Sequence, residues 1–210
     1  MREENKLQGN GAWFNARTGK LTASRMKNAM KYLKGGADSA DRKNLKVEIL
    51  CERLTGDIVD KFVNQAMQWG IDKEPEAKEQ YELKTGRLIK DVGFVDHPKI
   101  EFCGASPDGL VDGDTAVEIK CPTTSTFINW ILAGVVPDDH KPQMCLQALC
   151  TGRPWVDFVA YDPRMPEAQR LFVRRYTPTA EELAEVEAEA IKFLQEVEEM
   201  FEQLTQVEML

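Results

Sequence analysis

The chain has 210 residues, 42% of them hydrophobic and 30% charged, with a formal net charge of −8. That length can bury a core of ordinary size, and the composition is that of a globular protein, which excludes a disordered or low-complexity chain. No apolar run approaches the length of a membrane span, and the opening Met-Arg-Glu-Glu-Asn-Lys has no signal-peptide core, so a cytoplasmic protein without a membrane partner is expected.

The five cysteines are odd in number, scattered, and without a Cys-x-x-Cys pair, which fits reduced thiols and not a disulfide framework or zinc ribbon. The acidity is unevenly placed. From Thr179 onward ten acidic residues stand against one lysine, so that segment carries −9 and the remainder about +1. A nearly balanced body leaves room for a local phosphate-binding surface.

In chain order, Thr22 or Ser24 can cap a helix carrying Met26, Ala29, Met30 and Leu33. Gly35, Gly36 and the polar residues after them form a loop and the best candidate for a mobile segment. Residues 42–55 predict a second helix, with Leu45, Ile49, Leu50 and Leu54 on one face. A helical region spans about 59–85 and includes Phe62, Ala66 and Trp69. Pro75 suits the first turn of a helix, where its missing N–H costs nothing, so two helices meeting near 70–72 are expected, with Glu74 opening the second. Strands follow at 88–95, 100–104 and 116–121, then helices at 125–133 and 141–151, then strands at 155–161 and 171–176. This order predicts an α/β fold with a mixed central sheet flanked by helices.

The last helix has the clearest signature. Thr179 and Glu182 form a capping box, and Leu183, Val186, Ala190, Phe193, Val197, Met200, Leu204 and Val207 recur at alternating steps of three and four. Such a stripe serves either the chain's own core or a subunit contact. One domain over 1–210 is expected, with 179–210 as a long C-terminal amphipathic helix.

The chemistry concentrates between Cys103 and Pro122. Asp108 sits in a Ser-Pro-Asp-Gly turn. Glu118 and Lys120 lie on a short strand and point to one face, with Val117 and Ile119 on the other. A hairpin returns Asp108 to Glu118, so two carboxylates meet beside a lysine. Oxygen ligands with few histidines suit Mg²⁺ or Mn²⁺ and not zinc. Such a set can activate water against a phosphodiester, with Lys120 positioning the water or countering charge. A bare Asp…Glu-x-Lys pattern also arises as a turn aspartate and a solvated strand edge. Glu74 read alone is a first-turn acid favoured by the helix dipole. Arg17, Ser24 and Ser106 read alone are a surface arginine, an N-cap and a turn serine. Met67 read alone is a core methionine.

Several segments together resemble bacteriophage lambda exonuclease and its alkaline exonuclease relatives: Ser106-Pro-Asp-Gly-Leu110, Glu118-Ile-Lys-Cys-Pro122, Tyr161-Asp-Pro-Arg-Met165, Trp13…Arg17-Thr-Gly…Thr22-Ala-Ser24, and Ala66…Trp69-Gly70…Glu74. They occur in family order from about Trp13 to Met165. The resemblance implies a restriction-endonuclease-like core and a Mg²⁺-dependent exonuclease. It would act on double-stranded DNA ends from 5′ to 3′, processively releasing 5′-mononucleotides and leaving 3′ overhangs. It also implies a homotrimeric ring and a single-strand annealing protein as partner in recombination. By position, Asp108, Glu118 and the Ile119 carbonyl would be metal ligands and Lys120 the water-positioning lysine. Glu74 would serve a second ion, Gln143 would be the active-site helix glutamine, Arg17, Ser24 and Ser106 would hold the 5′-phosphate, and Met67 would wedge the duplex. The 35–42 loop departs in composition from the lambda version and carries Arg42. His97, His140, Trp130 and Trp155 match no catalytic position and read as structural or surface groups. The alternatives are an endonuclease or resolvase on the same core, and a catalytically silent DNA-end-binding protein.

Overall fold

The computed structural model describes residues 11–58 and 65–207. Its strands in chain order are Leu21–Thr22 (β1), Ile89–Lys90 (β2), Val95–Asp96 (β3), Cys103–Ala105 (β4), Gly109–Val111 (β5), Thr115–Lys120 (β6), Trp155–Tyr161 (β7) and Leu171–Tyr176 (β8). Its helices are Gly11–Arg17 (α1), Met26–Ala29 (α2), Ala40–Thr55 (α3), Gln65–Thr85 (α4), Thr124–Ala133 (α5), Lys141–Thr151 (α6) and Ala180–Thr205 (α7). Five strands form one mixed sheet in the order β2-β5-β6-β7-β8, and β1-β4-β3 form a smaller one. Only β6 and β7 are parallel in the larger sheet, pairing 115–120 with 155–160. Their crossover runs through α5 and α6, as a parallel pair requires.

The sheet is covered on both faces, which explains why β6 is buried at five of its six positions. Ala116, Phe158 and Ala160 face one core, shared with α3, α6 and α7. Val117, Ile119, Val159 and Tyr161 face a second core closed by Ala77 and Tyr81 of α4. α7 begins at the expected Thr179–Glu182 capping box and buries Val186, Ala190, Phe193, Leu194 and Val197. Each such side chain contributes about 1.5–3 kcal/mol. The helix therefore packs on its own chain for most of its length, while Leu204 and Val207 remain exposed.

Several expectations change. The helical region is one continuous helix with Pro75 in its interior, not two helices broken near 70–72. An interior proline costs about 3 kcal/mol. Pro75 lies on the exposed side, and burial of Ala77 and Tyr81 against the sheet, with Tyr81 Oη donating to Asp157 at 2.7 Å, holds the helix across it. Phe62 and the expected start near residue 59 lie outside the described residues.

The strand expected at 88–95 is two short strands in different sheets. Gly104 permits the crossing: a Cβ there would lie 2.7 Å from the Val95 carbonyl oxygen. The strand expected at 100–104 begins only at Cys103, because Phe102 takes a left-handed φ of 56° that breaks extension. The first expected long helix is a 3-10 turn, Ala23–Arg25, followed by the four-residue α2, and Thr22 makes no side-chain cap. The 35–42 loop is tied at its far end, where Ser39 caps α3. Among the described residues no helix is long and apolar enough to cross a membrane.

Candidate active site

The β5–β6 hairpin sets Asp108 against residues 117–119. The Asp108 N–H donates to the Val117 carbonyl at 3.0 Å, and the Ile119 N–H donates to Asp108 Oδ2 at 2.6 Å. A strand residue turns its N–H and C=O to the same side. The Ile119 carbonyl therefore also points to the Asp108 side, where β5 has ended.

Glu118 points to the other face of β6 and is 1% exposed. Lys120, two residues on, forms an ion pair with Glu118 Oε1. α6 crosses this face. Gln143 and Gln147, one turn apart, both reach the carboxylate: Gln143 Nε2 donates to Oε1 at 2.6 Å, and Gln147 Nε2 donates to Oε2. Gln147 is fully buried, and its Oε1 has no partner among the described residues. Glu74 enters from the middle of α4 and pairs with Lys78 at 3.1 Å. It is not a first-turn acid, so the helix dipole does not account for it.

The electrostatics follow from this crowding. Burial raises the Asp108 carboxyl well above the usual carboxylate range, and Glu118 and Glu74 raise it further, against the opposing Lys120 and Ile119 N–H. Burial opposes the charge on Lys120, but Glu118 and Asp108 outweigh it and raise its pKa. His140 packs against Phe158 and the edge of Trp130, each at 5.3 Å between ring centroids. Burial, then the Lys120 charge, pushes it down to about 4. It is neutral near pH 7, a packing group as expected, within reach of the Lys120 and Glu118 charges.

The rest of the lining comes from α1, the 3-10 turn and the segment after β4. Arg17 Nη1 donates to Ser106 Oγ at 3.1 Å, and Trp13 Nε1 donates to the same oxygen at 2.9 Å. The Arg17 guanidinium lies 4.1 Å from the Trp13 ring centroid. Burial and neighbouring Arg25 bring its pKa down to about 10, partly offset by Glu52, so it stays cationic at neutral pH. No carboxylate forms an ion pair with it among the described residues. Ser24 Oγ lies 3.2 Å from Thr22 Oγ1.

These walls enclose a cavity of about 480 Å³ lined by Arg17, Ser24, Met67, Glu74, Ser106, Asp108, Glu118, Ile119, Lys120 and Gln143. Every residue singled out from the sequence for chemistry or substrate thus borders one space. Met67 is 49% exposed there. Two groups were missed as site residues. Gln147 had a usable signal, four residues after Gln143 on a helix. Trp13 was quoted only as part of a motif, and its indole N–H fixes Ser106.

Arg42 is elsewhere. It is fully buried, donates to the Ala29 carbonyl and Asp38, pairs with Glu196, and stacks on Tyr32. It anchors α7 and does not reach out of the loop. His97 is buried, with Nδ1 accepting from the Lys99 and Ile100 N–H groups.

The sheet, its flanking helices and this cavity define the alkaline exonuclease fold. The chain is similar to the crystal structure of an alkaline exonuclease, LHK-Exo, from Laribacter hongkongensis. Identity is 42%, coverage is 94% of this chain and 97% of that one, and the TM-score is 0.87. The same enzyme in complex with dAMP gives a TM-score of 0.88 at the same identity and coverage. A phage related exonuclease from Haemophilus somnus 129PT shares the fold at 15% identity, covering 91% of this chain and 99% of that one, with a TM-score of 0.66. Among curated proteins none matches. The YqaJ-like viral recombinase domain matches residues 12–154, and the chain belongs to that family. This is the lambda-exonuclease type expected from the motifs.

Proposed function

We propose that this chain is a Mg²⁺-dependent exonuclease. It digests one strand of linear double-stranded DNA from the 5′ end, releases 5′-mononucleotides, and leaves 3′ single strands for annealing recombination. One observation carries this reading: the carboxylate–lysine set and the Arg17–Ser106 pair line one cavity. A terminal phosphate and a nearby scissile phosphodiester need both sets. The relative at 42% identity, seen with dAMP, supports a site of nucleotide size.

The donor set fits a hard divalent ion. Three carboxylates converge, and their mutual repulsion with burial raises the Asp108 carboxyl. A cation would relieve that excess. Asp108, Glu118 and the Ile119 carbonyl would hold one ion and Glu74 a second. Among the described residues no three acidic, histidine or cysteine groups form a finished cage. Mg²⁺ keeps waters and takes substrate oxygens, so the protein need not supply every ligand; Mn²⁺ can substitute. When bound, such ions activate water and stabilise the leaving 3′-oxygen.

The chain's own groups do the rest. Arg17 offers a guanidinium fork to a 5′-phosphate, with Ser106 and Ser24 as hydroxyl donors. Trp13 holds Ser106 and backs Arg17. Lys120 keeps its proton and orients water or phosphate oxygen from the Glu118 side. Gln143 fixes the Glu118 carboxylate. Met67 at the rim is placed to part the terminal base pair. A single domain, a trimeric ring and a single-strand annealing partner complete the proposal.

Digestion of end-labelled linear duplex with Mg²⁺ tests it. Mononucleotides should leave first from the 5′ label, a closed circle should survive, and a 5′-hydroxyl end should be cut more slowly. Cleavage of the circle, or release from the 3′ end, would refute it.

A further inference from the structure

We propose that the segment from Tyr161 to Met165 is a brace for the first half of α4: Tyr161 and Arg164 grip that helix on either side of Glu74 and so set where Glu74 meets Asp108 and Glu118. The inference deepens the two-ion reading above and rests on it only for what Glu74 does. α4 runs from Gln65 to Thr85, yet its buried residues are Ala77 and Tyr81, both in the second half. The half that carries Met67 and Glu74 fully buries no side chain. Pro75 closes that half and, lacking an N–H, removes the helical hydrogen bond to the Ile71 carbonyl. Prolines are where helices bend most sharply. Core packing therefore does not fix the angle of this half, and the helix ladder is interrupted at its base.

Two contacts from the segment reach α4, one on each side of Pro75. The Arg164 guanidinium lies 4.5 Å from the Trp69 ring centroid, and Tyr161 Oη donates to Glu76 Oε1. Trp69 Nε1 is buried with no hydrogen-bond partner among the described residues, so the indole is held there by its face. The other end of the brace is firmly tied. Tyr161 is the fully buried last residue of β7. Asp162 is fully buried, and its carboxylate accepts from Arg164 Nε at 2.7 Å, Arg164 Nη2 at 3.0 Å, the Arg164 N–H at 3.0 Å and Thr124 Oγ1 at 2.6 Å. Arg164 Nη2 also donates to the carbonyl of Pro122, just beyond Lys120, at 3.2 Å. A planar guanidinium can hold a carboxylate, a carbonyl and an aromatic face together, which the point charge of a lysine cannot.

The brace thus links the end of β6, which carries Glu118 and Lys120, to the half-helix that carries Glu74. Glu74 and Pro122 both line the cavity. A carboxylate on a helix that can pivot at a proline is useful only while the pivot is held, since a misplacement of about 1 Å can cost about 10²-fold in rate. Arg164 and Tyr161 are therefore positioning residues. Arg17, Ser24 and Ser106 stand on other segments, so the contacts to a 5′-phosphate lie outside the reach of the brace.

Trp69→Leu combined with Tyr161→Phe tests it on the full chain, because the pair removes both grips and leaves Asp162 bonded to Arg164. Without metal or DNA, amide hydrogen exchange should quicken about tenfold or more over 65–76 and stay as in wild type over 77–85. Mn²⁺ titration calorimetry should show the weaker ion bound about 10–100-fold less tightly and the tighter one unchanged. Cleavage of end-labelled duplex should fall by a similar factor at limiting Mg²⁺ and keep its preference for a 5′-phosphate. Trp69→Phe alone, which keeps a ring beside Arg164, should bring all three close to wild type. Arg164→Lys, which keeps a cation on Asp162 but loses the flat contact, should show the same changes in milder form. Unchanged exchange over 65–76 overturns the brace, and so does exchange that quickens over the whole chain, since the segment would then only support the core. Faster exchange over 65–76 with Mn²⁺ binding unchanged overturns the positioning of Glu74. If wild type cuts no DNA while the exchange and Mn²⁺ results hold, the nuclease reading fails and the brace stands.

Discussion

The substitution Gln147→Leu removes a fully buried amide that donates to Glu118 Oε2 and whose own Oε1 has no partner among the described residues. Two stability effects oppose each other. Losing a hydrogen bond to a charged group costs about 1.5–3 kcal/mol, and removing an unsatisfied buried oxygen returns about 1–3 kcal/mol. Leucine fills nearly the same volume among the buried neighbours Met144, Leu146 and Ala148. The net change in unfolding free energy should lie within about 1 kcal/mol. Activity should not be spared. Glu118 would keep Gln143 and Lys120 on Oε1 but lose its fixed partner on Oε2. Loss of an outer partner of a metal-ligating carboxylate typically costs about 10–100-fold in metal affinity or activity. Urea unfolding and a Mg²⁺ titration of kcat/KM read the two effects separately. Gln147→Glu should be worse on both, since it sets a second carboxylate against Glu118. Unchanged Mg²⁺ dependence, with stability reduced by several kcal/mol, would show that Gln147 only fills the core.

Asp108→Asn should abolish cleavage yet raise the metal-free melting temperature at neutral pH. A carboxyl whose folded pKa is raised makes the fold less stable as pH climbs from the unfolded value of 3.8 through the folded one, and asparagine carries no such penalty. A lower melting temperature would contradict the crowding of charge. His140 should make the fold less stable as pH falls from 6.5 to about 4, because the unfolded chain binds that proton first; the span corresponds to roughly 3 kcal/mol. His140→Leu should flatten the melting curve in that window, and an unaltered slope would show that another group is responsible. Arg42→Met should cost about 1.5–3 kcal/mol in urea unfolding, because it removes buried charged hydrogen bonds while Lys46 still pairs with Asp38 and Glu196. Arg42 and Lys46 together lower the folded pKa values of Asp38 and Glu196, so their contribution should be full above about 4.5 and fade as pH falls through the folded values, a loss made smaller in the variant. A cost below about 1 kcal/mol would mean the cluster does not hold α7.

Local rules were sufficient wherever a segment's neighbours in space are also its neighbours in sequence. The Thr179–Glu182 cap and the period of α7, the alternation along β6, and the Pro-Asp-Gly turn leading to Asp108 all depend on residues a few positions apart. The failures came where a distant contact decided the outcome. Pro75 reads as a helix start, but Tyr81 bonded to Asp157, 76 residues away, keeps α4 continuous. Gly104 allows Phe94 and Val95 to approach closely, and this splits one expected strand between two sheets. Arg42 reads only as a cation at the end of the 35–42 loop until Glu196, 154 residues on, is placed beside it. The fold of the site was therefore legible in its hairpin, while the wall carrying Arg17 depended on the motif match, because nothing local in Trp13–Arg17 points to Ser106.

That wall also bears on which end of a strand the site should engage. Arg17 is half-buried, keeps its charge, and spends one N–H on a serine hydroxyl among the described residues. A buried guanidinium without a carboxylate is costly unless an anion joins it. The site therefore has an unmet demand for negative charge on one side and an excess of it, in Asp108, Glu118 and Glu74, on the other. A phosphodiester in the middle of a strand gives the first wall one diffuse charge, whereas a terminal phosphate dianion gives it two and can enter end-on. The asymmetry of charge across one cavity thus favours a strand terminus over an internal site. It ties end preference to Arg17 and cleavage to the carboxylate–lysine set: Arg17→Met should erase discrimination between phosphorylated and hydroxyl ends while leaving the Mg²⁺ dependence of the residual cleavage intact. A variant that still prefers the phosphorylated end as strongly as wild type would break this link.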